Sequence, residues 1–161
     1  MLKPTALRTA LETACSWLRG NPDKLVVNIE GGHLRLTAAA TRSFEYRYTL
    51  RLTLLDFPEH PSAIFVPIIQ WLERHQPELL LNPALQEQGL RFEADILSNA
   101  TADLAITLQL TERVRVTLNP DGTHLAEHLP EPHDPTADWT WTIEFAKPEL
   151  NPAWPTAAPA P

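Results

Sequence analysis

Residues 44–81, FEYRYTLRLTLLDFPEHPSAIFVPIIQWLERHQPELLL, decide how this chain folds. Phe44, Tyr46, Tyr48, Leu50, Leu52 and Leu54 alternate with Glu45, Arg47, Thr49, Arg51 and Thr53. Strict alternation with aromatic and β-branched residues predicts a strand with one buried face. Asp56-Phe57-Pro58-Glu59-His60-Pro61 then reads as a turn, because its two prolines cannot donate to a sheet ladder. Ser62 is positioned to cap a helix carrying Ile64, Phe65, Ile68, Ile69, Trp71 and Leu72 at helical spacing. Pro67 predicts an irregular first turn or a kink, and Gln76-Pro77 ends the helix. Leu50, Leu52, Ile68, Trp71 and Leu72 are expected to be buried together as the middle of the core.

Outward from this centre, Pro4 to Arg19 reads as one amphipathic helix with Leu7, Ala10, Leu11, Ala14, Trp17 and Leu18 on one face and Gly20 as its stop. Lys24–Glu30 and His33–Ala39 read as a hairpin about Gly31-Gly32, pairing Ile29 with Leu34, Val27 with Leu36 and Leu25 with Ala38. After the central helix, Asn82-Pro83 opens a short helical turn to Gly89. Leu90, Phe92, Ala94 and Ile96 alternate with polar residues, as do Ala102, Leu104, Ile106, Leu108 and Leu110. A loop of odd length about Asn99-Ala100-Thr101 puts both apolar sets on one face.

The second alternation continues through Val114, Val116 and Leu118, a length of roughly 56 Å and about three times a typical strand. Either the strand breaks near Thr111-Glu112-Arg113, or its outer half leaves the body. Asn119-Pro120-Asp121-Gly122 supplies a reversal, which predicts a protruding β-hairpin over about 112–129. An arm of this kind would expose Val114, Val116, Leu118 and Leu125 as an apolar strip, with Arg113 and Arg115 on the other parity free to meet acidic surface. These six residues form the candidate subunit interface. Trp139, Trp141, Ile143 and Phe145 predict an added edge strand over about 139–145, inside an extended proline-rich segment at 133–161. The fold class is therefore α+β: a mostly antiparallel sheet of five or more strands packed by two main helices, within a domain at 1–132.

The bulk properties narrow the function. The 161 residues suffice for one domain with a real core, no apolar run approaches a membrane span, and the first residues lack the apolar stretch of a signal peptide. Cys15 is the sole cysteine, which excludes an internal disulfide and fits a reducing cytosol. Residues 1–60 hold eight Lys/Arg against six Asp/Glu, and 61–161 hold five against fourteen. That imbalance argues against nucleic-acid binding and permits head-to-tail contacts between copies. Glu45, Glu93, Asp95 and Asp103 fall on the polar parity of strands and are expected to face water. His124, His128 and His133 form a loose group without the cysteines or carboxylates that would complete a metal site, and His75 is placed to meet the last carbonyls of its helix. Cys15 reads as a small buried side chain. No phosphate loop, nucleophile elbow or paired-cysteine motif is present, so neither catalysis nor a cofactor is expected.

The segments at 3–12 (KPTALRTALE), 44–50 (FEYRYTL), 56–80 (DFPEHPSAIFVPIIQWLERHQPELL), 89–97 (GLRFEADIL), 103–114 (DLAITLQLTERV) and 128–132 (HLPEP) resemble the tail completion protein R family of contractile-tailed bacteriophages. The resemblance spans most of 1–132 and implies a non-enzymatic component of the virion tail, handled in the host cytoplasm during assembly. It carries no catalytic residues. The element order, one helix, three strands, a helix and two or more strands, is similar to that of tail terminators, which implies a homo-oligomeric ring contacting tail tube, sheath or head-tail joining proteins. Two alternatives remain beside it. One is an assembly adaptor or chaperone for tail subunits, absent from the mature particle. The other is a small metal-dependent enzyme built on the histidine group.

Overall fold

A computed structural model describes residues 1–36, 41–97 and 101–131. The expected strand at 139–145 and His133 lie outside these residues. In chain order the elements are α1 (Lys3–Ala14), α2 (Ser16–Gly20), a 3-10 turn (Pro22–Lys24), β1 (Leu25–Leu36), β2 (Phe44–Phe57), α3 (Ser62–His75), α4 (Glu78–Leu81), α5 (Pro83–Gly89), β3 (Leu90–Ile96), β4 (Ala102–Leu118) and β5 (His124–Leu129). All strand pairs are antiparallel, in the order β1-β2-β4-β3, with β5 also on β4. This is the α+β class expected, with α1 and α3 as its two long helices.

β2 and β4 form the middle of the sheet, paired from Phe44↔Val114 to Phe57↔Ala102. Their inward residues Leu50, Leu52, Leu54, Leu104, Ile106 and Leu108 are fully buried beneath α1 and α3. The expected core set, Leu50, Leu52, Ile68, Trp71 and Leu72, lies in this one cluster. Asn82 caps α5 as its sequence predicts, its side chain accepting from the Ala84 amide at 3.0 Å. β3 aligns Phe92 with Ile106 and Ile96 with Ala102, so both apolar sets do share a face across a loop of odd length.

Four local expectations are corrected. Pro4–Arg19 is not one helix: Cys15 adopts an extended backbone (φ −101°, ψ 113°) and separates α1 from α2, which tucks its buried thiol and Leu18 into the core. Ser62 is the first helical residue and not the cap. Pro61 occupies that place without a side-chain bond, and α3 runs through Pro67 as one helix. β2 continues to Phe57 through a bulge after Leu54, made possible by a left-handed Asp56 (φ 54°) whose amide donates to Asp103 Oδ1 at 2.7 Å. The bulge turns Phe57 into the core, edge-on to Trp17 at 5.3 Å.

The fourth correction removes a strand. Gly31-Gly32 is not a turn, because β1 runs through it and pairs with β2 from Leu25↔Leu54 to Leu36↔Phe44. A two-residue hairpin needs left-handed backbone at its centre, and neither glycine has it. A bulge at Glu30 instead shifts the phase, so that Leu34 and Leu36 face the same side as Leu25, Val27 and Ile29. Two strands, not three, therefore precede α3. Gly32 is required for close approach: a Cβ there would lie 2.9 Å from Tyr48 Cβ and 3.0 Å from the Arg47 carbonyl, while Gly31 has open space. Gly32→Ala should therefore cost about 1–3 kcal/mol through overpacking. Gly31→Ala should be neutral or stabilising by about 0.4–1 kcal/mol. Urea denaturation of the two variants checks this, since a turn would penalise both.

Candidate functional site

The sheet outgrows its helices. β4 runs unbroken for 17 residues, and β2 pairs with it only as far as Val114. Beyond that point β5 is its partner, from Arg113↔Leu129 to Leu118↔His124, around a turn with a left-handed Gly122 (φ 83°). The Asn119 amide donates to the Thr123 carbonyl at 2.8 Å to close the turn, and Asp121 accepts from both the Thr123 amide and hydroxyl. Those two bonds hold the Asp121 carboxyl below the usual carboxylate range.

The six candidate interface residues divide by position. Val114 is only 3% exposed, since it sits between Phe44 of β2 and His128 of β5, so it belongs to the root of the hairpin and not to an open strip. Val116 is half-buried, and Leu118 at the tip is 64% exposed. Arg113 reaches the Pro130 carbonyl at 3.2 Å, and Arg115 lies 3.6 Å from Glu127. Leu125 pairs with Thr117, so it lies on the arginine face and not beside Val116 and Leu118. The valine face carries His124, Ala126 and His128 from β5 instead. Leu34, Leu36, Phe44 and Tyr46 extend that face across β1 and β2, and Leu36 is 74% exposed. No described helix covers this end of the sheet.

A buried polar cluster holds the root. Glu112 stands on the inward parity of β4, between Leu110 and Val114, and is 4% exposed. Its carboxylate accepts from Tyr48 Oη at 2.6 Å and from the Leu2 and Lys3 amides at 2.7 and 3.3 Å. The free N–H groups that open α1 are thus satisfied by a strand, where no side chain of the helix caps them. His128 Nδ1 lies 3.2 Å from the same carboxylate, within ion-pair range but off the hydrogen-bond line, and its ring stacks on Tyr46. Burial pushes the Glu112 pKa up, but the three donors outweigh it and leave the carboxyl below its usual range. Tyr48 is raised, first by burial and then by that carboxylate.

Gln76, fully buried at the end of α3, joins this cluster to the helices. Between β3 and β5, residues 109–112 of β4 have no strand partner on that edge. Gln76 Oε1 fills part of the gap by accepting from the Thr111 amide at 3.1 Å, and Nε2 donates to Thr111 Oγ1 at 3.0 Å. The same Oε1 accepts from Lys3 Nζ at 2.6 Å, and Lys3 pairs with Glu131 at 2.7 Å. Burial lowers the Lys3 pKa, and Glu131, Glu112 and Glu78 oppose it. His75 beside them is lowered by burial and by Lys3 and Arg74.

These groups tie α1, β2, the end of α3 and β4 together through the bonds just given, while the buried His128 Nδ1 has no hydrogen-bond partner among the described residues. The residues first considered for acid–base chemistry lie elsewhere. Glu93 and Asp95 are exposed, as expected of them. Glu45 and Asp103 are only half so, Glu45 pairing with Arg47. His124 and His128 lie four residues apart on one strand, roughly 13 Å at the usual rise, which is too far to share an ion. Among the described residues no three His, Cys, Asp or Glu side chains gather as a metal site. None of their helices is long and apolar enough to cross a membrane.

Comparison with known proteins agrees with the resemblance carried by the central segment. The family model of the P2 phage tail completion protein R (GpR) matches residues 1–132. Tail completion protein R of Escherichia phage P2 is 38% identical over 135 residues, spanning 84% of this chain and 86% of that protein. No solved structure matches the chain. The sequence match covers the core, the polar cluster and the hairpin alike, and the chain belongs to the P2 phage tail completion protein R family.

Proposed function

We propose that this chain completes a phage tail as a structural, non-enzymatic component and prepares that tail to receive a head. Family membership supports the tail role, and one structural observation supports an assembly role: the apolar end of the sheet about Val116, Leu118, Leu34 and Leu36 is left uncovered by the described residues. A patch of this kind marks a docking surface. In this reading the chain acts as a ring of identical subunits seated at the tail end, in contact with tail tube, sheath or a head-joining protein. It assembles in the host cytoplasm and stays with the tail. The ionisable groups at the root of the hairpin serve packing and need no substrate.

Electron microscopy of particles made without the protein tests this. Tails of irregular length, or tails that take no heads, are the expected result. A normal yield of complete particles would sink the proposal. Detecting the chain in purified particles separates a resident component from an adaptor that leaves after assembly.

A further inference from the structure

We infer that residues 139–145 return from the root of the hairpin and pair with the free edge of β5 in their own copy, as a sixth antiparallel strand. Trp139, Trp141, Ile143 and Phe145 alternate there with Thr140, Thr142 and Glu144, and Pro135 and Pro148 bound the run. The amides of such a strand need a neighbour. β5 offers one, since it pairs with β4 on one side and with no described strand on the other. The point at which the chain leaves β5 is held in place. Arg113 bonds the Pro130 carbonyl at 3.2 Å, and Glu131 pairs with Lys3 at 2.7 Å, so the described chain ends beside the hairpin root. Only residues 132–138 separate that point from Trp139.

Reach selects β5 among the free edges. A chain that turns back at the root meets the open side of β5 at one strand spacing, about 5 Å, and runs antiparallel to it. The free edge of β1 lies across the row Leu129, Arg113, Glu45 and Arg35, three spacings or about 14 Å away at the far side of the sheet. β3 begins at Leu90↔Leu108, roughly 17 Å down β4 from Arg113, and Gln76 and Glu78 bond Thr111 in the interval. The two faces of the sheet set the parity. The aromatic side of the added strand belongs with His124, Ala126 and His128 on the valine face, where Leu118, Leu34 and Leu36 are exposed. At the root of that face, a cavity of about 550 Å³ opens between Leu2, His75, His128, Leu129 and Pro130. Trp139 opens the strand and, on this parity, stands opposite His128 or Pro130, so its indole fills the cavity. Thr140, Thr142 and Glu144 then fall on the arginine face with Leu125 and Glu127.

Hydrogen exchange on the full chain, read at single amides, decides it. Amides in 139–145 should exchange at least about tenfold more slowly than in an unstructured peptide, and equally so at every protein concentration. A full-chain variant carrying Thr142→Pro and Ile143→Pro together supplies the control. Of two adjacent residues one amide must point at β5, so this pair breaks the ladder whichever register the strand takes. Protection of 139–145 should then vanish, and the amides of β5 that face the free edge should quicken about tenfold. Those of β2 and β4 in the core should stay within about twofold, which shows that the variant is folded. Trp139→Ala should weaken the protection at least about threefold, whereas Trp154→Ala, beyond Pro148, should leave it unchanged. The inference is overturned if 139–145 exchange as an unstructured peptide does, or if β5 is indifferent to the two prolines. Protection that fades on dilution also overturns it, since the strand would then be given to another copy. Equal effects of the two tryptophan changes overturn the place of Trp139 in the cavity. None of these outcomes bears on the tail role.

Discussion

Glu112→Ala should lower the stability of the folded chain by about 3–5 kcal/mol, a larger loss than most single changes cause. The substitution strips the partner from Tyr48 Oη and from two amides at the start of α1, in a place water does not reach. Glu112→Gln keeps the shape and one acceptor and should cost less, about 1–3 kcal/mol. The acid dependence has a definite sign. The folded pKa lies below the ordinary value of 4.5, so between the two the unfolded chain binds more protons. The stabilisation is therefore complete above the unfolded pKa and is lost as pH falls through the folded one. Denaturation of parent and Glu112→Gln from pH 7 to pH 3 reads this directly. The gap between them should stay level at the neutral end and close below about pH 4.5. A gap that widens on acidification would mean that the carboxyl is held protonated.

The second large effect concerns assembly and leaves the fold untouched. In a host supplied only with Leu118→Asp, complete particles should fall by roughly 10- to 100-fold, the equivalent of burying one leucine side chain in a contact. Leu125→Asp should keep the yield within about twofold, because a lone exposed side chain on the arginine face has no apolar neighbourhood to complete. Both leucines are mostly exposed, so a difference between them reports on the face and not on folding. Equal losses would show that the hairpin acts through its length alone. No loss from either would remove it from the interface.

The long strand, the central helix and the capped turn at Asn82 were all legible in the sequence, because each rests on a local signal: a period of two, a period of 3.6, or a cap. The errors came where one local signal has two physical solutions. Apolar residues at 25, 27 and 29 followed by 34 and 36 demand a change of phase, and a hairpin or a bulge supplies it equally well. The choice depends on the close approach of Tyr48, which no neighbour of Gly32 in sequence reveals. Cys15 was placed correctly in the core, but a helix break that rotates it there leaves no mark in helical periodicity. Leu125 was misplaced because its face depends on the length of the turn, 119–123, that precedes it. The polar cluster did have a signal. Glu112 sits on the apolar parity among Leu108, Leu110, Val114 and Val116, and a charge at an inward position must find partners. Its partners, Leu2, Lys3 and Tyr48, lie 64 to 110 residues away and come only with the tertiary fold.

Gln76 gives the hairpin a mechanical character. β4 passes from body to tip paired first with β2 and then with β5, and the gap between β3 and β5 along one of its edges is partly spliced by the Gln76 side chain at the end of α3. The place where a hinge would form is thereby stiffened. A lateral load applied near Leu118 travels down one strand and enters the helix layer at Gln76 and Lys3. A hairpin rooted in this way would behave as a cantilever built into its wall, and a partner that gripped its tip would turn the body with it.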